Sequence, residues 1–433
     1  MVLTRSQTRS KSNLIQDVAI DAQSRYDSRP SVKMKSFELS EVRRSRVLKV
    51  LCIAVFLVFF QGYMVAPLLP HLAQVFGVSV QNIGLIVPAY FLSYGAVTLF
   101  YGPLSDRIGR LPVIGACLSA FAILTGLTAF AHSPSQLIWI RLLAGLSAGG
   151  ITPISVGLVG DLFPYRERGQ ALGLIFGAVA GGMACGSTVG ALLDPWIGWR
   201  GLFVLVSVVT LAVLASAASL RDVMVKMPGG PPASGSLVRS ILELLRSGRA
   251  QRTYIYVVLF GLFQSGVYTW LGLLFSRRYG LGDVGIGLAL LGYGIPGWLF
   301  GPALGRASDR WGRNWTIPVG IAISGLAAIT LSFTVPVILA AVIVTVLSFG
   351  CDITQPALAA IVTDLTPKRG LAVGVFAFSL FTGFGLGSLV FSSLLAYGLS
   401  PAFSIFGLVA VAGALCSAFL FKSERISEPA GAA

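Results

Sequence analysis

The stretch Gly102-Pro-Leu-Ser-Asp106-Arg107-Ile-Gly109-Arg110 recurs in this chain as Gly305-Arg-Ala-Ser-Asp309-Arg310-Trp-Gly312-Arg313. Both copies read G-x-x-x-D-R-x-G-R, and they lie 203 residues apart. Each copy separates two long apolar segments. A charged motif that occurs twice in this setting indicates that the chain consists of two homologous halves.

The repeat extends beyond the motif. At the same offset, Gln61 aligns with Gln264 and Asp161 aligns with Asp364. Polar residues that recur together with the surrounding apolar pattern favour a duplicated structural unit over a chance match of one loop.

The composition indicates a membrane protein. Of the 433 residues, 55% are hydrophobic and 11% are charged, and the mean hydropathy is +0.82. Soluble domains carry roughly 25% charged residues. An apolar helix of about 20 residues crosses the hydrocarbon core and satisfies its own backbone groups there. The sequence therefore predicts an all-α membrane protein with twelve transmembrane segments, called spans 1 to 12, at about 48–69, 82–101, 112–131, 136–160, 170–191, 201–220, 254–276, 284–304, 315–333, 336–361, 371–395 and 401–421.

Six spans precede a polar segment and six follow it, so the two halves have the same orientation in the membrane. Parallel six-helix repeats with a solute site between them are an architecture for alternating access. Within the polar segment, Leu237, Ile241 and Leu244 share one helical face and predict a short amphipathic helix. The predicted organisation is a disordered basic tail, a six-helix bundle, a linker, a second six-helix bundle and a second tail, at 1–47, 48–220, 221–253, 254–421 and 422–433.

The net charge of +15 is distributed unevenly. Lys and Arg collect in the first tail, in the linker and in alternate short loops. This positive-inside pattern predicts that both termini are cytoplasmic and that the membrane is an inner or plasma membrane. It also assigns the basic residues to anionic membrane lipid rather than to nucleic acid.

Several kinds of site are not supported by the sequence. The five cysteines lie in apolar spans without C-x-x-C spacing, and the two histidines, His71 and His132, are far apart in sequence. We expect both histidines in a solvated role at outer helix ends. Neither a disulfide framework nor a metal site is expected, and the absence of a phosphate-binding loop argues against ATP-driven pumping. We therefore expect no cofactor and no enzymatic activity.

Two ionisable residues lie inside predicted spans, Arg141 in span 4 and Asp352 in span 10. Such residues are costly in a membrane and indicate function by default. Asp352 has no repeat counterpart, since Gly149 holds the equivalent position. We interpret Asp352 as the group that loads and releases a proton, and Arg141 as a residue that modulates this site or binds an anionic solute. The alternatives are an Asp352 that pairs with a neighbour or caps a break at Thr354-Gln355-Pro356, and a structural Arg141.

Polar and aromatic residues in spans 1 and 7 are candidates for the wall of a cavity. Gln61 and Gln264 form a repeat-related pair of amides, and Tyr63 and Tyr268 follow them in their spans. Apolar walls with a few polar groups suit bulky, partly apolar solutes. The alternative for the tyrosines is an interfacial position facing lipid.

From about residue 48 to residue 421 the chain resembles the major facilitator superfamily. The loop between spans 2 and 3 is similar to that family's G-x-L-x-D-R-x-G-R-[KR] motif, with Leu111 in the final basic position. Leu137, Arg141 and Gly145 look like its L-x-x-x-R-x-x-x-G pattern. Span 1 ends with Pro67-Leu-Leu-Pro70, as in twelve-helix drug/proton antiporters.

A fourth similarity lies in span 5. Its glycines resemble the G-x-x-x-G-P-x-x-G-G motif of the family's antiporters, although Ala178 stands at the proline position. Glycines at this spacing allow close helix packing, which would deny ions a leak path. The residues concerned are Gly173, Gly177, Gly181 and Gly182.

The resemblance also implies a cytoplasmic gate formed by the repeated motif. A carboxylate at a helix end can accept charge-assisted hydrogen bonds that hold one conformer and break in the other. The simpler interpretation of the arginines alone is positive-inside topology. The gate residues implied are Gly102, Asp106, Arg107, Gly109 and Arg110 in the first half, with Gly305, Asp309, Arg310, Gly312 and Arg313 as a weaker second copy.

These features together predict a monomeric secondary transporter that exports small organic or drug-like molecules in exchange for protons. A proton-coupled symporter or a uniporter for sugars or organic acids is the alternative within the same class. From another class, a membrane receptor or scaffold that kept the fold without transport is also compatible with the sequence.

Overall fold

The computed structural model describes residues 41–163, 165–218, 236–297, 299–300, 311–366 and 369–424. Within these ranges every regular element is a helix. The predicted tail up to residue 40, residues 219–235 at the start of the linker region, and Gly305, Asp309 and Arg310 of the second motif lie outside the described residues.

The first half contains the predicted spans 1 to 6. Its helices are Glu41–Tyr63 and Val65–Phe76 for span 1, Val80–Gly84 and Ile86–Ile108 for span 2, Arg110–Thr128 for span 3, Pro134–Ala148 and Ile151–Leu162 for span 4, and Tyr165–Ala218 for spans 5 and 6. The last helix is interrupted at Gly198, whose φ of 69° is a left-handed conformation that glycine adopts without a steric penalty.

The first helix begins at Glu41 rather than near residue 48, so residues 41–47 are not part of a disordered tail. Burial explains the difference, because Val47 and Leu48 are only 4% and 8% exposed. The apolar face of the helix thus starts before the continuous apolar run that marks the span.

The second half repeats this order. Span 8 is interrupted, as described below, and its first helix ends at Ala289. The helices of this half are Gly248–Tyr279 for span 7, Asp283–Ala289 for the first part of span 8, Arg313–Ser332 for span 9, Val337–Thr363 for span 10, Arg369–Leu394 for span 11 and Leu399–Leu420 for span 12.

Ten helices in the described residues are long and apolar enough to cross a membrane. One of them, Gln170–Ala217, is 48 residues long and contains both predicted spans 5 and 6. The short linker helix is present at Leu237–Leu245. Its Leu244 is buried in a hydrophobic cluster with Tyr254 and Val362, so the helix packs on the second half.

The two halves meet closely at one end of the bundle. A methyl group placed on Gly84 would lie 2.7 Å from the Trp270 ring, and one placed on Gly272 would lie 3.0 Å from Pro67 Cα. We call this the opposite end, because the repeated motif lies at the other end, called the motif end. These contacts join the two halves tightly at the opposite end.

Candidate functional site

At the motif end, two glycines explain why the repeated motif has this form. Gly109 and Gly312 precede the helices of spans 3 and 9, and their φ angles are 104° and 87°. Side chains strongly disfavour this region of φ. The repeat-related glycines therefore allow the same sharp turn from one span into the next in both halves.

The arginine that follows each glycine forms an ion pair within its own half. Arg110 Nε lies 2.7 Å from Asp161 Oδ2, and Arg313 Nη1 lies 2.6 Å from Asp364 Oδ2. The two pairs are related by the sequence repeat. The first pair connects the loop after span 2 with the end of span 4. The second pair connects the loop after span 8 with the end of span 10.

Asp106 makes a longer contact, with its Oδ1 lying 3.7 Å from Arg110 Nη2. Arg107 is exposed, and a methyl group placed on Gly102 would meet open space. Of the predicted gate residues that the structure describes, Arg110 and Arg313 make the short ion pairs, and their partners Asp161 and Asp364 were not among the predicted residues.

Asp352 lies in the middle of span 10. With a helical rise of about 1.5 Å per residue, it is about 22 Å from the start of Val337–Thr363 and about 17 Å from its end. The side chain is half-buried. It accepts a hydrogen bond from Ser348 Oγ at 3.2 Å and another from the backbone N–H of Gly297.

Gly297 belongs to the segment where span 8 is interrupted. The helix ends at Ala289, Gly294 has a φ of 79°, and a helical segment resumes at Ile295. The Gly294 N–H donates to Ser348 Oγ at 2.8 Å. Span 10 therefore binds two backbone N–H groups that the interruption releases, and Asp352 caps a break in span 8 rather than one in its own helix.

The equivalent positions in the first half show why this arrangement is not repeated. Gly145 and Gly149 stand in place of Ser348 and Asp352. There span 4 packs directly on span 2, and a methyl group on Gly149 would lie 2.6 Å from the Tyr94 carbonyl oxygen. In the first half, glycines let spans 2 and 4 pack in direct contact. In the second half, Ser348 and Asp352 at the same positions connect spans 8 and 10 through hydrogen bonds.

Beside Asp352 lies a cluster of aromatic rings and one amide, which we call the tyrosine cluster: Tyr63, Gln264, Tyr268 and Tyr293. The Tyr63 and Tyr268 ring centroids are 5.0 Å apart, and those of Tyr268 and Tyr293 are 4.2 Å apart. Tyr268 Oη donates to the Tyr63 carbonyl at 3.1 Å, and Gln264 Nε2 lies 3.4 Å from Tyr293 Oη. The hydroxyl of Tyr63 interacts electrostatically with Asp352. The cluster therefore joins the first half to the second beside the acid.

The predicted amides are buried rather than facing lipid. Gln61 is 0% exposed and Gln264 is 3% exposed. Both amide atoms of Gln61 and the Oε1 atom of Gln264 have no hydrogen-bond partner among the described residues. Buried polar groups of this kind are costly unless a partner is supplied.

Arg141 is also fully buried. Its guanidinium lies over the Tyr90 ring, 4.1 Å from the centroid, and its Nε donates to the Ile86 carbonyl at 3.5 Å. Within the described part of the chain, Nη1 and Nη2 have no hydrogen-bond partner. The structure places Arg141 between spans 2 and 4, whereas Asp352 lies between spans 8 and 10.

The glycines of span 5 behave differently from one another. Methyl groups on Gly173 or Gly177 would meet open space, so the predicted packing role does not hold for these two residues. Close packing on span 1 occurs further along span 5. A methyl group on Gly182 would lie 2.5 Å from the Phe56 carbonyl oxygen, and a methyl group on Gly186 would lie 2.5 Å from the Phe60 carbonyl oxygen. Spans 1 and 5 approach each other toward the opposite end, which shifts the seam away from Gly173.

One ion-pair cluster at the motif end was not predicted. Glu424 follows span 12 and binds Arg249 through two contacts of 2.8 and 2.7 Å and Arg252 at 2.7 Å. Burial raises the pKa of Glu424, but the hydrogen bond from Arg249 and the charges of Arg249 and Arg252 lower it to below its usual value. Glu424 therefore connects the start of span 7 with the end of span 12.

Comparisons with known proteins agree with this architecture. The sequence profile of the Major Facilitator Superfamily matches residues 51–292 and 279–432. The chain is 27% identical over 356 residues to the multi-drug resistance efflux pump PmrA homolog of Lactococcus lactis subsp. lactis strain IL1403, covering 78% of this chain and 86% of that protein. It is 27% identical over 442 residues to the gallate transporter of Pseudomonas putida, covering 92% and 94%.

The fold is similar to that of a bacterial homolog of the human lysosomal transporter Spinster, solved in an inward-facing and unoccupied conformation. The TM-score is 0.72 at 20% identity, and the match covers 90% of this chain and 100% of that one. The family profile covers both halves of the repeat that the sequence predicts. The chain therefore belongs to the major facilitator superfamily of membrane transporters.

Proposed function

We propose that this transporter exports small, partly apolar organic molecules in exchange for protons, and that Asp352 carries the proton. The observation that supports the proposal most strongly is the position of Asp352. It is an acid in the middle of a span, half-buried, and it has no counterpart in the other half. Acids at this depth are costly and are typical of proton pathways.

Protonation of Asp352 would act on the structure directly. As a carboxylate, Asp352 accepts hydrogen bonds from Ser348 and from the Gly297 N–H. Charge-assisted bonds of this kind are roughly twice as strong as neutral ones. A proton on the carboxyl group would weaken the connection between span 10 and the interrupted part of span 8. Proton loading thereby changes how these spans are held beside the tyrosine cluster.

The tyrosine cluster suits the proposed solutes. Tyr63, Tyr268 and Tyr293 offer apolar ring faces with hydroxyl groups, and Gln264 adds an amide oxygen that has no donor among the described residues. Pockets for bulky organic molecules combine mostly apolar surface with a few polar groups in this way. The relative named as a multi-drug resistance efflux pump is in keeping with export of such molecules.

Proton release on solute binding tests the proposal. Purified protein in weakly buffered detergent is titrated with ethidium, chloramphenicol and gallate, while a pH indicator follows the solution. At least one aromatic solute should release protons from the wild type. D352N should bind that solute without proton release, because an asparagine oxygen still accepts the bond from Gly297 but cannot be ionised.

Glu243 provides a matched control, since its side chain is 51% exposed on the linker helix and pairs with Arg239. E243Q should release protons as the wild type does. Proton release that persists in D352N would assign the exchange to another group.

A second candidate is uptake of organic acids, and Arg141 favours it. Its Nη1 and Nη2 are buried donors without a partner in the described ranges, and a carboxylate is the ligand that such a guanidinium binds best. The relative named as a gallate transporter covers 92% of this chain. If this function holds, gallate binding should take up protons rather than release them. R141Q should then lose gallate binding and keep ethidium binding.

A further inference from the structure

Three ionisable side chains that the proposed transport site does not use meet at the opposite end of the bundle. His71 lies in the second helix of span 1, Asp194 lies between spans 5 and 6, and Asp283 begins span 8. Each offers one ligand atom, and these atoms all lie within 4.8 Å of one another. Two of the residues belong to the first half and one to the second.

Asp194 is the inner member of this group. The residue is 2% exposed, and its Oδ2 is in contact with His71 Nδ1. Its Oδ1 is buried and has no hydrogen-bond partner among the residues that the structure describes. The electrostatic neighbours of Asp194 are His71 and a second carboxylate, Asp283. A buried carboxylate oxygen without a donor, next to another negative charge, is unfavourable unless a cation joins the group.

We propose that His71, Asp194 and Asp283 bind a divalent transition-metal ion, with Zn²⁺ as the best fit. One imidazole nitrogen and two carboxylate oxygens form a three-ligand set that leaves the fourth tetrahedral position open. An imidazole in the set favours Zn²⁺ over Mg²⁺ or Ca²⁺, which prefer oxygen ligands.

The distances allow this coordination with small movements. Ligand atoms around a tetrahedral Zn²⁺ lie roughly 3.4 Å from one another, since each metal–ligand bond is about 2.1 Å long. Because no two of the ligand atoms lie more than 4.8 Å apart, the widest separation would shrink by at most about 1.5 Å. The His71 side chain is 31% exposed and Asp283 is half-buried, so the ion can reach the site from solvent.

Because the ligands come from both halves, a bound ion would connect them at the opposite end. Alternating access requires the halves to separate there. The metal ion should accordingly hold this end closed and inhibit transport. This consequence rests on the proposed function, whereas metal binding itself does not.

Thermal unfolding of the purified full-length chain, prepared without a histidine tag and treated with a chelator, tests the site. Zn²⁺ should raise the unfolding temperature in a saturable manner, and Mg²⁺ at the same concentration should not. H71N and D283N should each weaken the Zn²⁺ effect by at least about tenfold in concentration. The chain's second histidine, His132, is exposed and lies outside the group, so H132N should respond as the wild type does.

Two results would overturn the metal site: no Zn²⁺-dependent shift in the wild type, or an unchanged shift in both H71N and D283N. In the first case His71 and Asp194 form only a local ion pair. If H71N does not fold, D283N alone tests the site. Asp283 is half-buried at the first position of its helix, so D283N should fold. If Zn²⁺ raises the unfolding temperature but the protein transports no solute, the metal site stands and the proposed function is wrong.

Discussion

Among single residues, the two glycines of the first motif, Gly102 and Gly109, differ in whether the backbone requires them. Gly109 has a φ of 104°. Gly102 has no positive φ, and a methyl group at its position would meet open space. Only Gly109 is therefore required by the backbone, although the motif contains both glycines.

Alanine substitutions test which of these glycines the backbone requires. G109A should lower the free energy of unfolding by about 1–3 kcal/mol, because a side chain is strained in this region of φ. G312A should do the same in the second half, where φ is 87°. G102A should leave stability unchanged or raise it slightly, since alanine is the better helix former.

Thermal unfolding in detergent measures all three variants under one condition. If G109A were as stable as G102A, the turn before span 3 would not depend on glycine, and the explanation of the repeated motif would fail.

Asp352 shows how far single residues can be interpreted from the sequence. Its place in an apolar span and the lack of a repeat counterpart single it out. Its hydrogen-bond partners, in contrast, could not be predicted from the sequence. The bond to Gly297 depends on the interruption of span 8 and on the register of spans 8 and 10, which one sequence does not contain. Ser348 was missed for the same reason, because a serine in an apolar span ordinarily bonds to its own helix.

Among the helices, span 8 carries a signal that could have predicted its interruption. Residues 292–297 read Gly-Tyr-Gly-Ile-Pro-Gly, and glycine and proline together mark breaks in a helix. Hydropathy alone hides this signal, since the segment remains apolar. The packing of span 5 was harder to predict, because the glycine pattern does not reveal which part of a long helix touches span 1.

The connection between spans 7 and 12 makes stability depend on pH. The pKa of Glu424 is lower in the folded protein than its usual value. Its contribution to stability is therefore complete above the ordinary glutamate pKa of about 4.3, and is lost as the pH falls through the lower folded value. E424Q should lower the free energy of unfolding at pH 7 by roughly 1–3 kcal/mol, because Arg249 and Arg252 lose a charged acceptor.

Thermal unfolding of the wild type and E424Q between pH 7 and pH 3 checks this expectation. The difference between them should shrink as the pH falls below about 4. E243Q is the control, because exposed pairs such as Arg239–Glu243 contribute little. A difference that stays constant across this range would show that Glu424 acts through packing and not through its charge.

For the whole molecule, the repeat predicts the architecture well. Two parallel halves of six helices follow from the 203-residue offset and the apolar spans, and the family match agrees with them. The conformation does not follow from the repeat. The contacts of Gly84 with Trp270 and of Pro67 with Gly272 hold the halves together at the opposite end. A sequence that must support several conformations cannot indicate which contacts between the halves are formed in one of them.

The asymmetry between the halves is more informative for function than their similarity. Gly109–Arg110 and Gly312–Arg313 repeat the same turn and ion pair at the motif end. The acid beside the tyrosine cluster occurs in the second half alone. The repeated helices thus form the common architecture of the two halves. The group to which we assign the proton, Asp352, lies at an unrepeated position.

Transport in proteoliposomes tests this assignment most directly. Wild-type protein should move ethidium against its concentration gradient when a pH gradient is imposed, and should also exchange labelled for unlabelled ethidium without a gradient. D352N should retain the exchange, because the halves can still alternate around bound solute, and should lose the response to the pH gradient. Uphill transport by D352N at the wild-type rate would contradict the role of Asp352 in proton coupling.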